Sequence, residues 1–275
     1  MTNSTQPLVV SELHEHAWWV TLNRAAKRNA LSNPMLEELL QAVRDGIRHR
    51  DVRCIVLHGD GACFSAGRDT KELTAEARLQ DQSLDDRHAM FLTVLETLMS
   101  SPKPTVAVVH GYAFGAGQAV SLACDFCVAE RSTRFGNVEM VYGFPAAMNT
   151  VLLARHLGRR LGLEIAMTGE PYSAERYFEM GLVNRLAEDG ALMEVAEEFV
   201  NILTARAPWA VTRTKETFRM AEDASQQMGL HLGNQLNQLL MMGSQTQSVH
   251  SGDVGSKAAL KDTMKGGQAQ DSRTT

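Results

Sequence analysis

Short apolar runs alternate with amphipathic stretches along the first 190 residues of the chain. Runs such as Val52–His58 and Thr105–Val109 are rich in β-branched residues and lie beside glycine or proline, which is typical of buried strands. Between them, apolar residues recur at helical spacing, for example from Met35 to Ile47. Beyond Gly190 the pattern is helical throughout. These patterns predict an α/β fold with a largely parallel, covered sheet and a helical C-terminal third.

The same patterns predict the remaining elements. Residues 8–13 and 17–22 are expected to form a hairpin, and Asn33-Pro34 is expected to start a helix. Ser173 is expected to cap a short helix that ends at Gly181. Further strands are predicted at 126–129, 134–136 and 182–186, and further helices at 85–99, 145–157, 161–167, 191–206, 208–222, 225–242 and 252–264.

A glycine-rich turn within residues 103–125 is the strongest candidate for chemistry. The turn Gly115-Ala116-Gly117 follows a predicted strand and opens a predicted helix. A helix N-terminus presents unpaired N–H groups and a partial positive charge, and glycine allows close approach. A phosphate, a carboxylate or an oxygen that becomes negative during a reaction could bind there. The order of the glycines matches neither a phosphate loop nor a dinucleotide fingerprint.

Composition and charge narrow the class of partner. The formal net charge of −5 gives no reason to expect nucleic acid or an anionic membrane surface as a partner. No stretch approaches the roughly 20 apolar residues of a membrane span, and a cytoplasmic protein is expected. The four cysteines are too few for a disulfide scaffold. Cys124-x-x-Cys127 lies in an apolar run and is interpreted as core cysteine in a reduced compartment rather than as a metal site.

Five segments, in order along the chain, resemble the enoyl-CoA hydratase/isomerase, or crotonase, superfamily from about residue 8 to residue 265. They are LNRAAKRNALS at 22–32, VRCIVLHGDGACFSAGRDTKEL at 52–73, KPTVAVVHGYAFGAGQAVSLACDFCVA at 103–129, FGNVEM at 135–140 and MTGEPYSAERYFEMGLVN at 167–184.

The resemblance implies a crotonase-like spiral of ββα repeats with a helical C-terminal trimerisation region. Residues 8–190 would form the spiral core with the CoA-thioester site, and residues 191–265 the helical region. Residues 1–7 and 266–275 would be disordered. The resemblance also implies homotrimers or hexamers, acyl-CoA thioester substrates, and neither a metal nor a redox cofactor, since coenzyme A enters with the substrate.

The family stabilises a thioester enolate with two backbone N–H groups. By position these belong to Arg68, which follows Ala66-Gly67, and to Ala116 in the glycine-rich turn. Ala116 departs from the glycine that is usual there, and its Cβ is tolerable only if φ is negative. Because the donors belong to the main chain, the identity of these side chains is free to vary.

Only one carboxylate remains at the two positions that the resemblance assigns to acid–base catalysis. Hydratases of this family typically carry two glutamates, and the first position is Ala119 here. Gln118 precedes it, but an amide does not transfer protons at neutral pH. The second position is Glu139. Its neighbours are expected to enclose it in an apolar pocket that raises its pKa; they are Val138, Met140, Val141 and Phe144.

Coenzyme A is expected to contact the main chain of the segment from Ala66 through Gly67, Arg68 and Asp69 to Thr70. Basic side chains that could approach its phosphates are Lys27, Arg28 and Lys257.

Three hypotheses remain from the sequence. The first is an enoyl-CoA isomerase that uses Glu139 as its only acid and base. The second is a hydratase that works with Glu139 and a water placed by another group, such as Gln118. The third, from a different class, is a CoA-thioester-binding protein that has lost catalysis, a hypothesis motivated by the departures at Ala116 and Ala119.

Overall fold

The computed structural model describes residues 6–72 and 83–246. The predicted helix 252–264, Lys257 and the predicted tail 266–275 lie outside the described residues, as do residues 1–5 of the predicted N-terminal segment. The chain divides into two compact units, Met1–Ala205 and Arg206–Thr275.

A six-stranded sheet organises the first unit. Its strands, in spatial order, are β1 (Val9–His14), β2 (Ala17–Leu22), β3 (Cys54–Gly59), β4 (Thr105–Val109), β6 (Phe126–Glu130) and β9 (Arg185–Ala187). The hairpin pair β1–β2 is antiparallel and the other neighbouring pairs are parallel. In the centre of the sheet Ala107 pairs with Leu57 on one side and with Cys127 on the other.

A second, three-stranded sheet positions the two chain segments that matter for the site. It contains β5 (Tyr112–Phe114), β7 (Arg134–Gly136) and β8 (Tyr172–Ser173). Strands β5 and β7 are parallel, with Phe114 opposite Gly136, and the N–H of Gly115 donates to the carbonyl of Gly136 at 3.0 Å. Because neighbouring parallel strands end at the same edge, the residues that follow Phe114 and Gly136 emerge side by side.

The named α-helices of the described residues are distributed over both units. In the first unit they are α1 (Asn33–Arg48), α2 (Ser83–Ser100), α3 (Ala116–Ala123), α4 (Ala147–Leu157), α5 (Arg159–Thr168), α6 (Ala174–Glu179) and α7 (Leu192–Thr204), and in the second unit α8 (Pro208–Asp223) and α9 (Gln226–Thr246). Short 3-10 helices occur at Ala25–Lys27 and Val138–Tyr142.

Helices cover both faces of the large sheet, as the continuous apolar strands predict. Alternate residues of β3 contribute to the two sides: Ile55 belongs to the cluster that includes α1, α2 and α3, and Val56 belongs to the cluster that includes α7. All eight residues of α3 are buried. The helix that begins at the glycine-rich turn is therefore held firmly by the core.

Most predicted elements are confirmed, and the differences are local. The hairpin, the start of α1 at Asn33 and strand β4 match the prediction, and Ser173 Oγ caps α6 by accepting from the N–H of Arg176. Strand β9 is shorter than the predicted 182–186, because Leu182 and Val183 donate to the Tyr177 carbonyl instead. Bonding to β6 begins where Asn184 donates to the Cys127 carbonyl at 2.7 Å. Among the described helices, none is long and apolar enough to cross a membrane.

Candidate active site

Two distant segments, residues 65–68 and 113–117, run side by side at the start of α3. Ser65 and Ala113 form a parallel β-bridge, and the N–H of Phe114 donates to the Ser65 carbonyl at 3.0 Å. A Cβ built on Gly117 would lie 2.7 Å from Cβ of Ser65, so this contact requires glycine. The N-terminus of α3 therefore lies directly against the loop that carries Arg68.

The backbone directs the Arg68 N–H away from the neighbouring segment that contains Leu31. Leu31 donates to the Gly67 carbonyl at 2.8 Å and accepts from the Asp69 N–H at 3.1 Å. In a parallel bridge of this kind, the N–H of the residue between them, Arg68, points to the opposite side. The Arg68 guanidinium, in contrast, turns toward the Leu31 segment and donates to Oδ1 of Asn33 at 2.9 Å.

The second predicted donor, Ala116, lies next to this segment. Ala116 is the first residue of α3, so the helix itself does not use its N–H. The position that a Cβ would take on Gly67 is 3.4 Å from the Ala116 nitrogen. The structure thus places side by side the two chain segments that carry the predicted N–H groups, while their role as oxyanion donors stays a prediction.

The backbone accepts alanine at position 116 without strain. Gly115 adopts the unusual conformation of the turn, with φ 51° and ψ −119°. Among the described non-glycine residues, positive φ occurs at Glu15, Arg28 and Asn29, and Ala116 is not one of them. The requirement that φ be negative at Ala116, where the family usually has glycine, is therefore met.

The carboxyl group of Glu139 lies against Gly115. Glu139 belongs to the 3-10 helix that follows β7, and a Cβ built on Gly115 would lie 3.0 Å from its Oε2 and 3.3 Å from its Oε1. Among the described residues, Oε2 of Glu139 is the one buried side-chain oxygen or nitrogen without a hydrogen-bond partner. Burial raises the pKa of Glu139, and its own backbone N–H and the Asn149 amide oppose the rise. The raised pKa makes this carboxylate a better proton acceptor than an exposed one.

The predicted apolar enclosure of Glu139 is only partly correct. Val138 and Met140 are half-buried, but Val141 and Phe144 are 71% and 67% exposed. Val141 lies on the 3-10 helix and Phe144 follows its end, and both side chains face outward.

A buried cluster of side-chain amides lies behind the turn and was not predicted. Gln118 donates to Oδ1 of Asn137 at 2.9 Å and to Oδ1 of Asn149 at 3.4 Å, and it accepts from the Tyr177 hydroxyl at 2.9 Å. Asn149 in turn donates to the Gly115 carbonyl at 2.8 Å. All four side chains are buried. The residues are far apart in sequence, and no short-range pattern joins them.

This cluster changes the interpretation of Gln118. Both of its amide hydrogens and its oxygen are engaged by protein groups, and the residue is fully buried. Ala119, at the position of the first glutamate in hydratases, is also fully buried.

The predicted coenzyme A segment is tied to the basic loop before it. The Ala66 N–H donates to the Arg28 carbonyl at 3.0 Å, which brings the exposed side chains of Lys27 and Arg28 into the same region. The Asp69 carboxylate binds Arg24 at 2.7 Å. Burial works to raise the pKa of Asp69, but the Arg24 hydrogen bond and charge outweigh it and the pKa is lowered. Thr70 is exposed.

The cysteines have no metal-binding partners in the described chain. Cys54, Cys63, Cys124 and Cys127 are buried and form no disulfide, which confirms the interpretation as core residues. Within residues 6–72 and 83–246, no group of three or more His, Cys, Asp or Glu side chains is placed to hold a metal ion.

Solved enoyl-CoA hydratases share this fold. The chain superposes on the enzyme from Mycobacterium smegmatis with a TM-score of 0.81 and 31% identity, covering 86% of this chain and 92% of that one. For the enzyme from Bacillus anthracis the TM-score is 0.78 with 29% identity, covering 84% and 90%. The mixed α/β architecture is therefore that of the crotonase class.

The sequence comparison identifies the family. The family model for enoyl-CoA hydratase/isomerase matches residues 13–254. The 2,3-dehydroadipyl-CoA hydratase of Escherichia coli is 31% identical over 246 residues, which is 89% of this chain and 93% of that protein. This chain belongs to the enoyl-CoA hydratase/isomerase family and is an acyl-CoA-processing enzyme.

Proposed function

We propose that the enzyme isomerises 3-enoyl-CoA to 2-enoyl-CoA with Glu139 as its single acid and base. The Glu139 carboxylate removes a proton from C2, and the electrons of that C–H bond form an enolate on the thioester. The N–H groups of Arg68 and Ala116 bind the enolate oxygen as it gains charge. Glu139 then returns the proton to C4, and the double bond moves from C3–C4 to C2–C3.

The observation that carries this proposal is the environment of Glu139. Its carboxyl group is partly desolvated, has a raised pKa and keeps one buried oxygen without a protein partner. A single group that must act first as base and then as acid works best when its pKa is near the working pH. The reaction only relocates a proton and a double bond, so it requires no redox cofactor and no metal.

The side chains beside Ala116 favour isomerisation over hydration. Family hydratases hold the attacking water with two glutamates, and position 119 offers only a buried methyl group. Gln118 is buried, donates both amide hydrogens to Asn137 and Asn149 and accepts from Tyr177, which leaves it no donor and one acceptor lone pair for a water. Hydration of 2-enoyl-CoA by Glu139 alone is the second candidate, because relatives such as the Escherichia coli protein are named hydratases.

The test uses a 3-enoyl-CoA labelled with deuterium at C2. A single carboxyl group carries the deuteron from C2 to C4, so part of the label is expected at C4 of the 2-enoyl product by mass spectrometry. In parallel, 2-enoyl-CoA is incubated in ¹⁸O-labelled water to detect hydration. Glu139→Gln is expected to lose isomerisation by about 10²-fold or more.

Glu170→Gln is the matched control, since Glu170 is an exposed carboxylate for which unchanged activity is expected. Incorporation of ¹⁸O faster than isomerisation contradicts the first candidate and supports the second. Binding of the thioester without turnover of either substrate supports a non-catalytic protein.

We also propose that the enzyme assembles as a homotrimer, alone or paired into a hexamer. The first unit exposes a series of large apolar side chains over residues 141–167, which is typical of a surface that another subunit covers. The series comprises Val141, Tyr142, Phe144, Val151 and Met167. Mass photometry at micromolar concentration is expected to give three or six times the chain mass, and a monomer would contradict this assignment.

A further inference from the structure

The Gly115–Ala116 peptide is held from behind by two hydrogen bonds. The Gly115 carbonyl accepts from Nδ2 of Asn149 at 2.8 Å and from the N–H of Ala119 at 3.0 Å. A peptide group is planar, so fixing its carbonyl also fixes the direction of its N–H. That N–H belongs to Ala116, one of the two proposed oxyanion donors.

Asn149 is itself held rigidly. It lies on α4 and is 2% exposed, and its Oδ1 accepts from Nε2 of Gln118 at 3.4 Å. The Gln118 oxygen accepts from the Tyr177 hydroxyl at 2.9 Å. Three elements that are distant in sequence, α3, α4 and α6, thus determine where the Asn149 amide points.

The same cluster reaches the segment that carries Glu139. Nε2 of Gln118 also donates to Oδ1 of Asn137, which precedes Glu139 by two residues and begins its 3-10 helix. Nδ2 of Asn137 donates to the Ile165 carbonyl at 3.3 Å. One amide of Gln118 therefore connects the Ala116 peptide, through Asn149, with the turn that holds the carboxylate.

We propose that Asn149 is a positioning residue, which directs the N–H of the Gly115–Ala116 peptide toward the substrate oxygen. Through Gln118 and Asn137 it also holds the Glu139 carboxyl group at a fixed position relative to that peptide. This inference rests on the proposed role of Arg68 and Ala116 as oxyanion donors. A donor that binds the far end of a peptide also polarises it, so the Ala116 N–H becomes a stronger donor in this buried site.

A purely structural role explains the cluster less well. Burial of side-chain amides is costly unless every polar atom is paired, and apolar residues of similar shape can be equally stable. The amides converge on the one peptide and the one carboxyl group that the proposed reaction needs. Asn149 also opposes the rise in the pKa of Glu139, and among the described residues no charged side chain contributes to that pKa.

The experiment replaces Asn149 with leucine, which keeps the branched shape of the side chain and removes the donor. We expect kcat to fall about tenfold, equivalent to about 1.4 kcal/mol, with KM changed less than about twofold. The acid limb of the pH–rate profile should move to higher pH, because the group that lowers the pKa of Glu139 is lost. Ionisation of bound 3-oxoacyl-CoA, which releases its C2 proton to solvent and is followed by enolate absorbance, should weaken about tenfold by the same loss of polarisation.

Thr133→Val is the matched control. Thr133 is fully buried and its hydroxyl donates to the Val109 carbonyl at 3.1 Å, away from Glu139 and Gly115. It should lower stability without moving the pH profile or the ionisation of the analogue. If Asn149→Leu does not fold, Asn149→Ser takes its place, since its hydroxyl is too short to reach the Gly115 oxygen.

The outcomes separate this inference from the proposed reaction. If the wild-type enzyme ionises the analogue but does not isomerise 3-enoyl-CoA, the proposed reaction fails and the variant still tests Asn149. If Asn149→Leu behaves like Thr133→Val in both readouts, the positioning role is wrong and the reaction stands. If the wild-type enzyme does not ionise the analogue, both are overturned.

Discussion

Gly115 and Glu139 lie in direct contact: a Cβ built on Gly115 would be 3.0 Å from Oε2 of the carboxyl group. Gly115 also has a φ of 51°, which alanine adopts only with strain. We predict that Gly115→Ala lowers the free energy of unfolding by about 1–2 kcal/mol from backbone strain. Displacement of the carboxyl group should in addition reduce kcat by about 10²-fold. Urea unfolding and steady-state kinetics measure the two effects.

The Gly181→Ala variant separates the effect of backbone strain from the effect of contact with the Glu139 carboxyl group. Gly181 has a φ of 80°, and nothing lies within 4 Å of an added Cβ. It should lose similar stability and retain full activity. Equal activity in both variants would show that the Gly115 contact does not position the carboxyl group.

The stability of Glu139→Gln relative to the wild type should increase as the pH rises. The pKa of Glu139 is raised in the folded state, so the folded protein binds the proton more tightly than the unfolded chain does. Its contribution to stability is complete below the ordinary carboxyl pKa and is lost as the pH rises through the raised value. The variant has no such loss.

The free energy of unfolding of wild type and Glu139→Gln, measured by urea titration across this window, should therefore diverge with increasing pH. Glu170→Gln should follow the wild type, because no buried carboxylate is removed. A constant difference between wild type and Glu139→Gln would contradict the raised pKa.

Ala116→Pro tests the backbone donor directly. Ala116 is the first residue of α3, a position at which helices tolerate proline because its N–H is unused. The substitution removes the proposed donor, and we expect activity to fall by about 10²–10³-fold. Circular dichroism should show an intact fold.

Arg159→Pro provides the corresponding control. Arg159 is the first residue of α5 and, like Ala116, follows a glycine with positive φ, Gly158. Its proline variant should retain activity. Parallel losses in the two variants would attribute the effect to proline in general.

Asp69→Asn should cost about 1 kcal/mol of stability near neutral pH through the weakened bond to Arg24. Because the pKa of Asp69 is lowered in the folded state, its stabilising contribution is present above the ordinary carboxyl pKa and is lost as the pH falls through the lowered value. Unfolding titrations near neutral pH and in acid should show the difference disappear in acid. Asp45→Asn, at an exposed pair, should change stability by less than about 0.5 kcal/mol at either pH.

The sequence was sufficient for elements that repeat a pattern over several residues. Strand β4 and helix α1 follow directly from apolar runs and helical spacing. Strands β5 and β8 have three and two residues, too few to establish a period, and their pairing with β7 is non-local. The sheet that aligns Gly115 with Asn137 could therefore not be predicted from local pattern.

The candidate site was predictable to the same degree. Motif positions were sufficient to propose Glu139, Arg68 and Ala116, since each lies inside a continuous segment that resembles the family. The hydrogen bonds of Asn149 and Tyr177 to this region depend on packing between elements that are distant along the chain. The outward direction of Val141 depends on a short 3-10 helix that has no period of its own in the sequence, and that of Phe144 depends on the turn that follows it.

The proposed use of main-chain N–H groups determines which experiments can detect this site. An alanine scan leaves both peptide groups in place, and at position 116 it makes no change at all. Such a scan would report Glu139 and the amide cluster as the whole of the machinery. Proline scanning, or replacement of single amides by esters through chemical synthesis, is needed to detect the other half.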